Sequence, residues 1–350
     1  MKLSAFVLAF GCAASALAFS TAAEARDQIR IVGSSTVYPF TTAVAENFGK
    51  SKGMKTPIVE STGTGGGMKL FCAGVGVDHP DITNASRRIK KAEAEACQAN
   101  GVTDIVELKI GFDGLTLAQS KNAQPLELTL AQIFLALAKE VPGPDGKLVA
   151  NPNMQWSDID PSLPAVKIEV LGPPPTSGTR DSLHELFMEK GAEQIDALKK
   201  LKEADAKAFE KVWKTMRDDG AYVEAGENDN VIVQKLEANP NAIGIFGFSF
   251  LEENSSALRG VPLGGVEPTF ENIASGDYKG GRPLFVYFKK QHVGVVPGIQ
   301  EFAEEYVSQR ALGEDGYLAA KGLVPLPADQ LEKETAKVRA METMKADELS

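Results

Sequence analysis

Short apolar segments alternate with amphipathic ones along most of the chain. Apolar runs of the length and composition of strands occupy residues 28–32, 56–60, 81–85, 105–110, 115–118, 166–171, 243–248 and 283–288. Apolar residues with helical spacing occupy residues 39–50, 129–139, 181–190, 230–238 and 296–311. This alternation predicts an α/β fold, with helices packed on mainly parallel sheets.

Four further segments differ from these in composition. Gly and Asp at residues 111–114 predict a turn between two strands. Residues 141–154, rich in Pro, Gly and Asn, predict a surface loop, and the charged residues 193–214 predict an exposed helix or helix pair. From Leu331 onward the chain is charged and Ala-rich, which predicts a frayed helical tail.

The first 25 residues have the order of a secretory signal. Lys2 precedes an apolar run at residues 3–19, and small residues lead to a predicted cleavage site after Ala25. The alternative is a membrane anchor, although the run is short for a span. Cleavage would release the mature protein into the periplasm.

Export changes the interpretation of the cysteines. Cys12 leaves with the signal, and an oxidising compartment favours a disulfide between Cys72 and Cys97. The alternative is a pair of buried free thiols.

Composition excludes several classes of function. The formal net charge of −10 argues against nucleic acid or an anionic membrane as a partner. The three histidines, His79, His184 and His292, lack metal-ligand spacing, so no metal or cofactor is expected.

Three segments share one design, in which a strand leads through a turn of small and hydroxyl residues into a helix. They are residues 33–36, 63–67 and 176–180. Each alone is also an ordinary helix cap. Together, at the carboxyl ends of strands, they can aim backbone N–H groups, hydroxyls and helix N-termini at one small oxyanion.

Two arginines and one aspartate are candidates for the charged part of this site. Arg180 follows the third loop and Arg87 follows the third strand, and a guanidinium binds an oxyanion through two parallel hydrogen bonds. Either is alternatively a surface arginine. Asp113 is either a turn residue or an acceptor for the proton of HPO₄²⁻, which would discriminate against a fully ionised anion.

With these loops, the chain resembles the periplasmic phosphate-binding proteins of the phosphate-specific ABC transport family. The resemblance rests on the motifs at residues 33–39, 63–67, 85–87, 177–180 and 239–247, whose order spans most of the mature chain. It implies a type II periplasmic binding fold, with two α/β lobes joined by two crossings and a ligand between them. Crossings near residues 111–114 and after Phe248 would give a discontinuous first lobe, residues 26–112 and 252–350, and a second lobe, residues 113–251.

The resemblance also implies the ligand residues, where the motifs match. These are Ser35, Thr36 and Val37 (through its N–H), Thr64, and then Ser177, Gly178 and Thr179.

Two positions depart from the family pattern. Well-known members have an Asp where this chain has Arg87, and many have an Arg where it has Pro173. Arg87 or Arg180 is then the candidate for the positive charge, and Asp113 for the proton acceptor.

The function implied is that of a monomeric receptor, not an enzyme, which delivers phosphate to permease subunits in the inner membrane. Alternatives are a receptor for another oxyanion such as sulfate or molybdate, a secreted phosphatase, or an adhesion or signalling module. A phosphatase would need a metal cluster or an activated nucleophile, and only Ser182 with His184 invites that interpretation.

Overall fold

The structure is a computed structural model that describes residues 26–175, 177–225 and 229–345. The predicted signal segment, residues 1–25, and Thr176 of the third loop lie outside the described residues. Eleven strands are found in the described part: β1 Arg30–Gly33, β2 Ile58–Ser61, β3 Ile82–Ala85, β4 Ile105–Ser120, β5 Glu140–Pro142, β6 Leu148–Ala150, β7 Val170–Gly172, β8 Tyr222–Glu224, β9 Ile243–Gly247, β10 Leu258–Gly260 and β11 Gly281–Lys289.

The described helices surround these strands. They are α1 Tyr38–Lys52, α2 Thr64–Phe71, α3 Lys91–Ala99, α4 Leu130–Leu137, α5 Trp156–Ile159, α6 Gly178–Ser182, α7 Lys190–Ala192, α8 Asp196–Ala204, α9 Ala206–Lys214, α10 Asp229–Ala238, α11 Phe248–Glu253, α12 Phe270–Ser275, α13 Ile299–Tyr306, α14 Gln309–Leu312 and α15 Ala328–Arg339. A π-helical segment, Leu183–Glu189, makes α6 and α7 continuous. Among the described residues, none of the helices is both long and apolar enough to span a bilayer.

Nine of the eleven described strands form one curled sheet with two halves, and β5 and β6 form a separate two-stranded sheet. Its order in the described chain is β2-β1-β3-β11-β4-β9-β7-β8, and β10 also pairs with β4. Each half contains a parallel trio, β1 with β2 and β3, or β7 with β8 and β9. The predicted α/β lobes are confirmed, but the sheet is mixed, because β11 is antiparallel to β3 and to β4, and β4 is antiparallel to β9.

Strand β4 joins the two halves. Its first part pairs with β11, and from Leu115 onward it pairs with β9. The sequence predicted two strands with a turn at residues 111–114, and this is wrong because the chain stays extended there. Glycine at residue 111 allows the strand to pack closely against Val324. A Cβ on Gly111, whose φ is +146°, would lie 2.6 Å from the carbonyl oxygen of Val324.

The chain returns to the first half through β11. Strand β10 pairs with the far end of β4, and β11 begins at Gly281, opposite Gly114.

The charged C-terminal segment is part of the first half. Leu331 and Val338 on α15 are buried, and the N–H of Met344 donates to the carbonyl oxygen of Ile105 at 2.8 Å. The predicted frayed tail is therefore a packed helix from residue 328, since two apolar positions on one face suffice to dock it on β4.

The predicted disulfide is confirmed. Cys72, at the C-terminal cap of α2, is bonded to Cys97 of α3, and both are buried. The bond holds α2, whose other end begins at Thr64, against its neighbour.

A buried polar cluster ties α6 to the second half of the sheet. One guanidinium nitrogen (Nη1) of Arg180 donates to the hydroxyl of Tyr222 at 2.9 Å and to the carbonyl oxygen of Pro173 at 2.8 Å. Its Nε donates to Nε2 of His184 at 2.9 Å. Burial, with the nearby Arg180 cation, lowers the pKa of His184 to about 4, whereas burial raises the pKa of Tyr222 to about 12.

Removal of the disulfide should lower stability. The bond closes a segment of 25 residues, so the C72A/C97A variant should lose about 3 kcal/mol of unfolding free energy in urea titrations, as should the reduced wild type. Thiol titration of the denatured, unreduced mature protein should find no free thiol. Two free thiols would contradict the bond.

The neutral His184 predicts an acid-sensitive fold. The unfolded imidazole binds a proton below about pH 6.5, whereas the folded one resists protonation until about pH 4, so stability falls as the pH falls between these values. Protonation of this imidazole in the unfolded state should lower the free energy of unfolding by about 2 kcal/mol between pH 7 and pH 5.

The H184Q variant tests this linkage, because glutamine still offers Arg180 an acceptor oxygen but does not titrate. Urea unfolding at both pH values should show a smaller loss than in the wild type. An identical loss in both proteins would assign the acid sensitivity to other groups.

Candidate oxyanion-binding site

The first loop leaves β1 and enters α1 beside the end of β3. Its Ser34 N–H donates to the carbonyl oxygen of Asn84 at 3.0 Å. A Cβ on Gly33, whose φ is +131°, would overlap that same carbonyl, so only glycine fits here. Within the described residues no side chain caps α1, so its positive N-terminal end lies beside the loop without a protein anion at the cap.

Ser35, Thr36 and Val37 lie on this loop as predicted, but with different exposure. Ser35 is half-buried, whereas Thr36 and Val37 are buried. The N–H of Val37 makes a long hydrogen bond, 3.4 Å, to Oγ of Ser34. The hydroxyls of Ser35 and Thr36 both reach partners from other elements.

The second loop lies directly against the first. A Cβ on Gly67 of α2 would overlap the Cα of Gly33, so the two helix starts are in backbone contact. Oγ1 of Thr64 accepts from the N–H of Ser86 at 3.0 Å and is 3.0 Å from its hydroxyl. In the described chain α2 also has no side-chain cap, so its first N–H groups remain available to a ligand.

The third loop comes from the other half of the sheet and meets the first loop. Oγ of Ser177 accepts from the N–H of Thr179 at 3.2 Å, which caps α6. A Cβ on Gly178 would lie 3.2 Å from the carbonyl oxygen of Ser35, and the hydroxyl of Ser35 donates to the carboxylate of Asp181. The two halves are therefore in contact at the predicted site.

Arg282 lies where these elements meet. Its guanidinium donates to Oγ1 of Thr36 at 3.1 Å and to Oγ of Ser182 at 3.0 Å. It also pairs with the carboxylates of Asp113, at 3.3 Å, and Glu185. Only 11% of the side chain is exposed, so this cation is held by both halves at once.

Arg282 was missed by the sequence analysis because its position is a tertiary effect. It is the second residue of β11 and lies directly opposite Asp113 of β4 in the antiparallel register, which makes the two a cross-strand ion pair. The flanking Gly280 and Gly281 were the available local signal, and nothing in them indicates an anion site.

The two arginines chosen from the sequence are engaged elsewhere. Arg87 pairs with both oxygens of Glu93, at 2.8 and 2.7 Å, and Arg180 belongs to the cluster with Tyr222. Among the described residues no hydrogen bond joins either guanidinium to the first or second loop. Both arginines are close to the loops in sequence. Their guanidinium groups, however, are oriented by the acceptors Glu93 and Tyr222.

Asp113 occupies the crossing rather than a turn. Its Oδ2 accepts from Oγ of Ser182 at 2.7 Å and from Arg282. Two carboxylates, Asp113 and Glu185, thus pair with the Arg282 guanidinium, and a third, Asp181, accepts from the neighbouring Ser35. Such a cleft repels a bare anion, and it favours one that carries a proton to donate.

The alternative Ser182 and His184 pair is not formed. The hydroxyl of Ser182 donates to Asp113, whereas Nε2 of His184 accepts from Arg180. In the described part of the chain no group of three or more His, Cys, Asp and Glu residues could hold a metal ion.

Comparisons with known proteins identify the family of the chain. The family model described as a PBP superfamily domain matches residues 20–310. Protein SphX of Synechococcus elongatus is 31% identical over 98% of this chain and 91% of its own length. A phosphate-binding protein PstS of Staphylococcus saprophyticus is 29% identical over 87% of this chain and 82% of its own.

Solved structures also match most of the chain. A possible phosphate binding protein from Planctomyces limnophilus has a TM-score of 0.70 and 28% identity, covering 90% of this chain and 99% of that one. A phosphate transport receptor from Vibrio cholerae, at 19% identity, shares the fold with a TM-score of 0.56 over 86% of this chain and all of that one. The chain therefore belongs to the family described as the PBP superfamily domain. Within that family it is similar to SphX and PstS proteins.

Proposed function

We propose that this protein is an exported receptor that binds inorganic phosphate between its two lobes and delivers it to an ABC transporter permease. The observation that carries the proposal is the meeting of the three loops, contributed by both halves of the sheet, around Ser35 and Arg282. The names of the relatives, phosphate-binding protein PstS and possible phosphate binding protein, support the same ligand.

The ligand contacts in this proposal come from hydroxyls and backbone N–H groups. Ser35, Thr36, Val37 and Thr64 serve from the first lobe, and residues 177–179 from the second. Helix N-termini stabilise an anion without a net positive charge in the protein. Arg282 supplies the cation in place of the sequence-based candidates, Arg87 and Arg180.

Carboxylates in the cleft select a protonated anion. Asp181 already accepts the hydroxyl of Ser35, and it is more exposed than Asp113, so it is better placed to accept a ligand proton. Phosphate carries such a proton at neutral pH and sulfate does not, so sulfate would meet only repulsion there.

Binding in this proposal closes a hinge. The lobes follow the strand pairing, with residues 26–112 and 282–345 in the first and residues 113–281 in the second. A ligand that contacts both lobes favours the closed form by its differential affinity. The disulfide is typical of an oxidising compartment, which supports export to the periplasm, and we propose that the receptor is monomeric and not an enzyme.

Isothermal titration of the mature protein with phosphate, arsenate, sulfate and molybdate tests the ligand. We expect heat with phosphate and arsenate, and none with sulfate at the same concentration. No heat with any of the four would reject the oxyanion receptor, and tighter binding of sulfate would reject phosphate.

The hydroxyl of Thr64 should contribute to phosphate affinity. A hydrogen bond to a charged group is worth about 1.5–3 kcal/mol, so T64V should weaken phosphate binding by roughly tenfold to a hundredfold in calorimetry. The T64S variant keeps the hydroxyl and is the matched control, with an affinity within about threefold of the wild type. Equal affinities for T64V and T64S would remove this loop from the site.

Arg282 should matter more than Arg87. R282Q leaves Asp113 and Glu185 without their cation, so phosphate affinity should fall about a hundredfold or more. R87Q should retain affinity within about threefold, because Glu93 already holds that guanidinium.

Circular dichroism and thermal unfolding of both variants control for folding. The opposite order, with R87Q losing phosphate and R282Q keeping it, would show that the ligand breaks the pair of Arg87 with Glu93.

A further inference from the structure

A second concave surface lies behind the hinge. A cavity of about 840 Å³ separates α11 and α12, in the second half, from residues 309–331 of the first half. We name this cavity the back groove. Its walls belong to different lobes, as do those of the oxyanion site.

The back groove and the oxyanion site lie on opposite faces of β4. Successive side chains of a strand point to opposite faces, and the side chain of Asp113 is in the oxyanion site. A Cβ on its neighbour Gly114 would lie 2.9 Å from Phe248 and 3.2 Å from Val324, which both line the back groove. One strand therefore separates the two surfaces.

The back groove has an apolar floor and an acidic rim. Phe248, Leu323, Val324 and Leu326 contribute to the floor. Five carboxylates line the rim, three on the second lobe and two on the first: Glu252, Glu253, Glu271, Glu314 and Asp315.

Within the described residues these carboxylates have no cationic partner. In the described chain no lysine or arginine lines the groove, and none of the five forms an ion pair. Burial and the negative charge of Glu271 raise the pKa of Glu252, so like-charge repulsion acts between these two carboxylates. Docked positive charge would relieve it.

We propose that the back groove docks a basic segment of a partner protein, one that presents Lys or Arg side chains to both walls and an apolar side chain to the floor. The charge complementarity requires cations on both sides, and the floor requires an apolar group between them. A metal ion fits less well, because in the described chain these carboxylates do not form a metal-binding group.

Docking should favour the closed receptor. Rotation about β4 that brings the front surfaces together moves the rear walls apart, so a segment that bridges the separated walls stabilises the closed form. This part of the inference rests on the proposed phosphate function. By linkage, phosphate must then tighten docking by the same factor that docking tightens phosphate.

A fluorescein-labelled peptide of alternating Lys and Leu is the probe, and fluorescence anisotropy is the readout. The E252Q/E271Q/E314Q variant should bind it at least about tenfold more weakly than the wild type. The E95Q/E203Q/E237Q variant loses the same charge from exposed positions on α3, α8 and α10, and should bind within about twofold. Equal weakening in both variants would reduce the effect to net charge and overturn the docking site.

Phosphate tests the coupling separately. In wild-type protein that calorimetry shows to bind phosphate, saturating phosphate should tighten peptide binding severalfold. Unchanged or weaker peptide binding would overturn the coupling. The peptide titrations without phosphate do not depend on the proposed function, so failure of one is distinguishable from failure of the other.

Discussion

The structure depends on one continuous strand that serves two half-sheets. Strand β4 pairs with β11 at one end and with β9 at the other, so it joins the two half-sheets directly. Asp113 lies near its middle, with Arg282 opposite on β11. Their ion pair therefore lies at the junction of the two half-sheets.

The three loops take their positions from this frame. The first two loops are packed backbone to backbone through Gly33 and Gly67, and the third reaches them only from the other half. A site divided in this way is complete only when the halves meet. That is why the hydroxyl of Ser35 reaches the carboxylate of Asp181 from the other half.

The sequence predicted what local pattern determines. The alternation of strands and helices, the three hydroxyl-rich loops, the Cys72–Cys97 bond and the family resemblance all rest on short segments read in order. Local pattern does not show which groups are neighbours in space. Residues 111–114 resemble a turn, but close packing against Val324 explains Gly111. Arg87 and Arg180 lie beside the loops in sequence, but their guanidinium groups are bound to Glu93 and Tyr222. Arg282 is placed at the site only by its register with Asp113.

A crystal structure of the mature protein grown with phosphate tests the central claim most directly. The account predicts one phosphate between the halves, within hydrogen-bond distance of Ser35, Thr64, Thr179 and the guanidinium of Arg282, with Asp181 or Asp113 facing its proton. A phosphate bound by residues of one half alone, or without contact to Arg282, would contradict it.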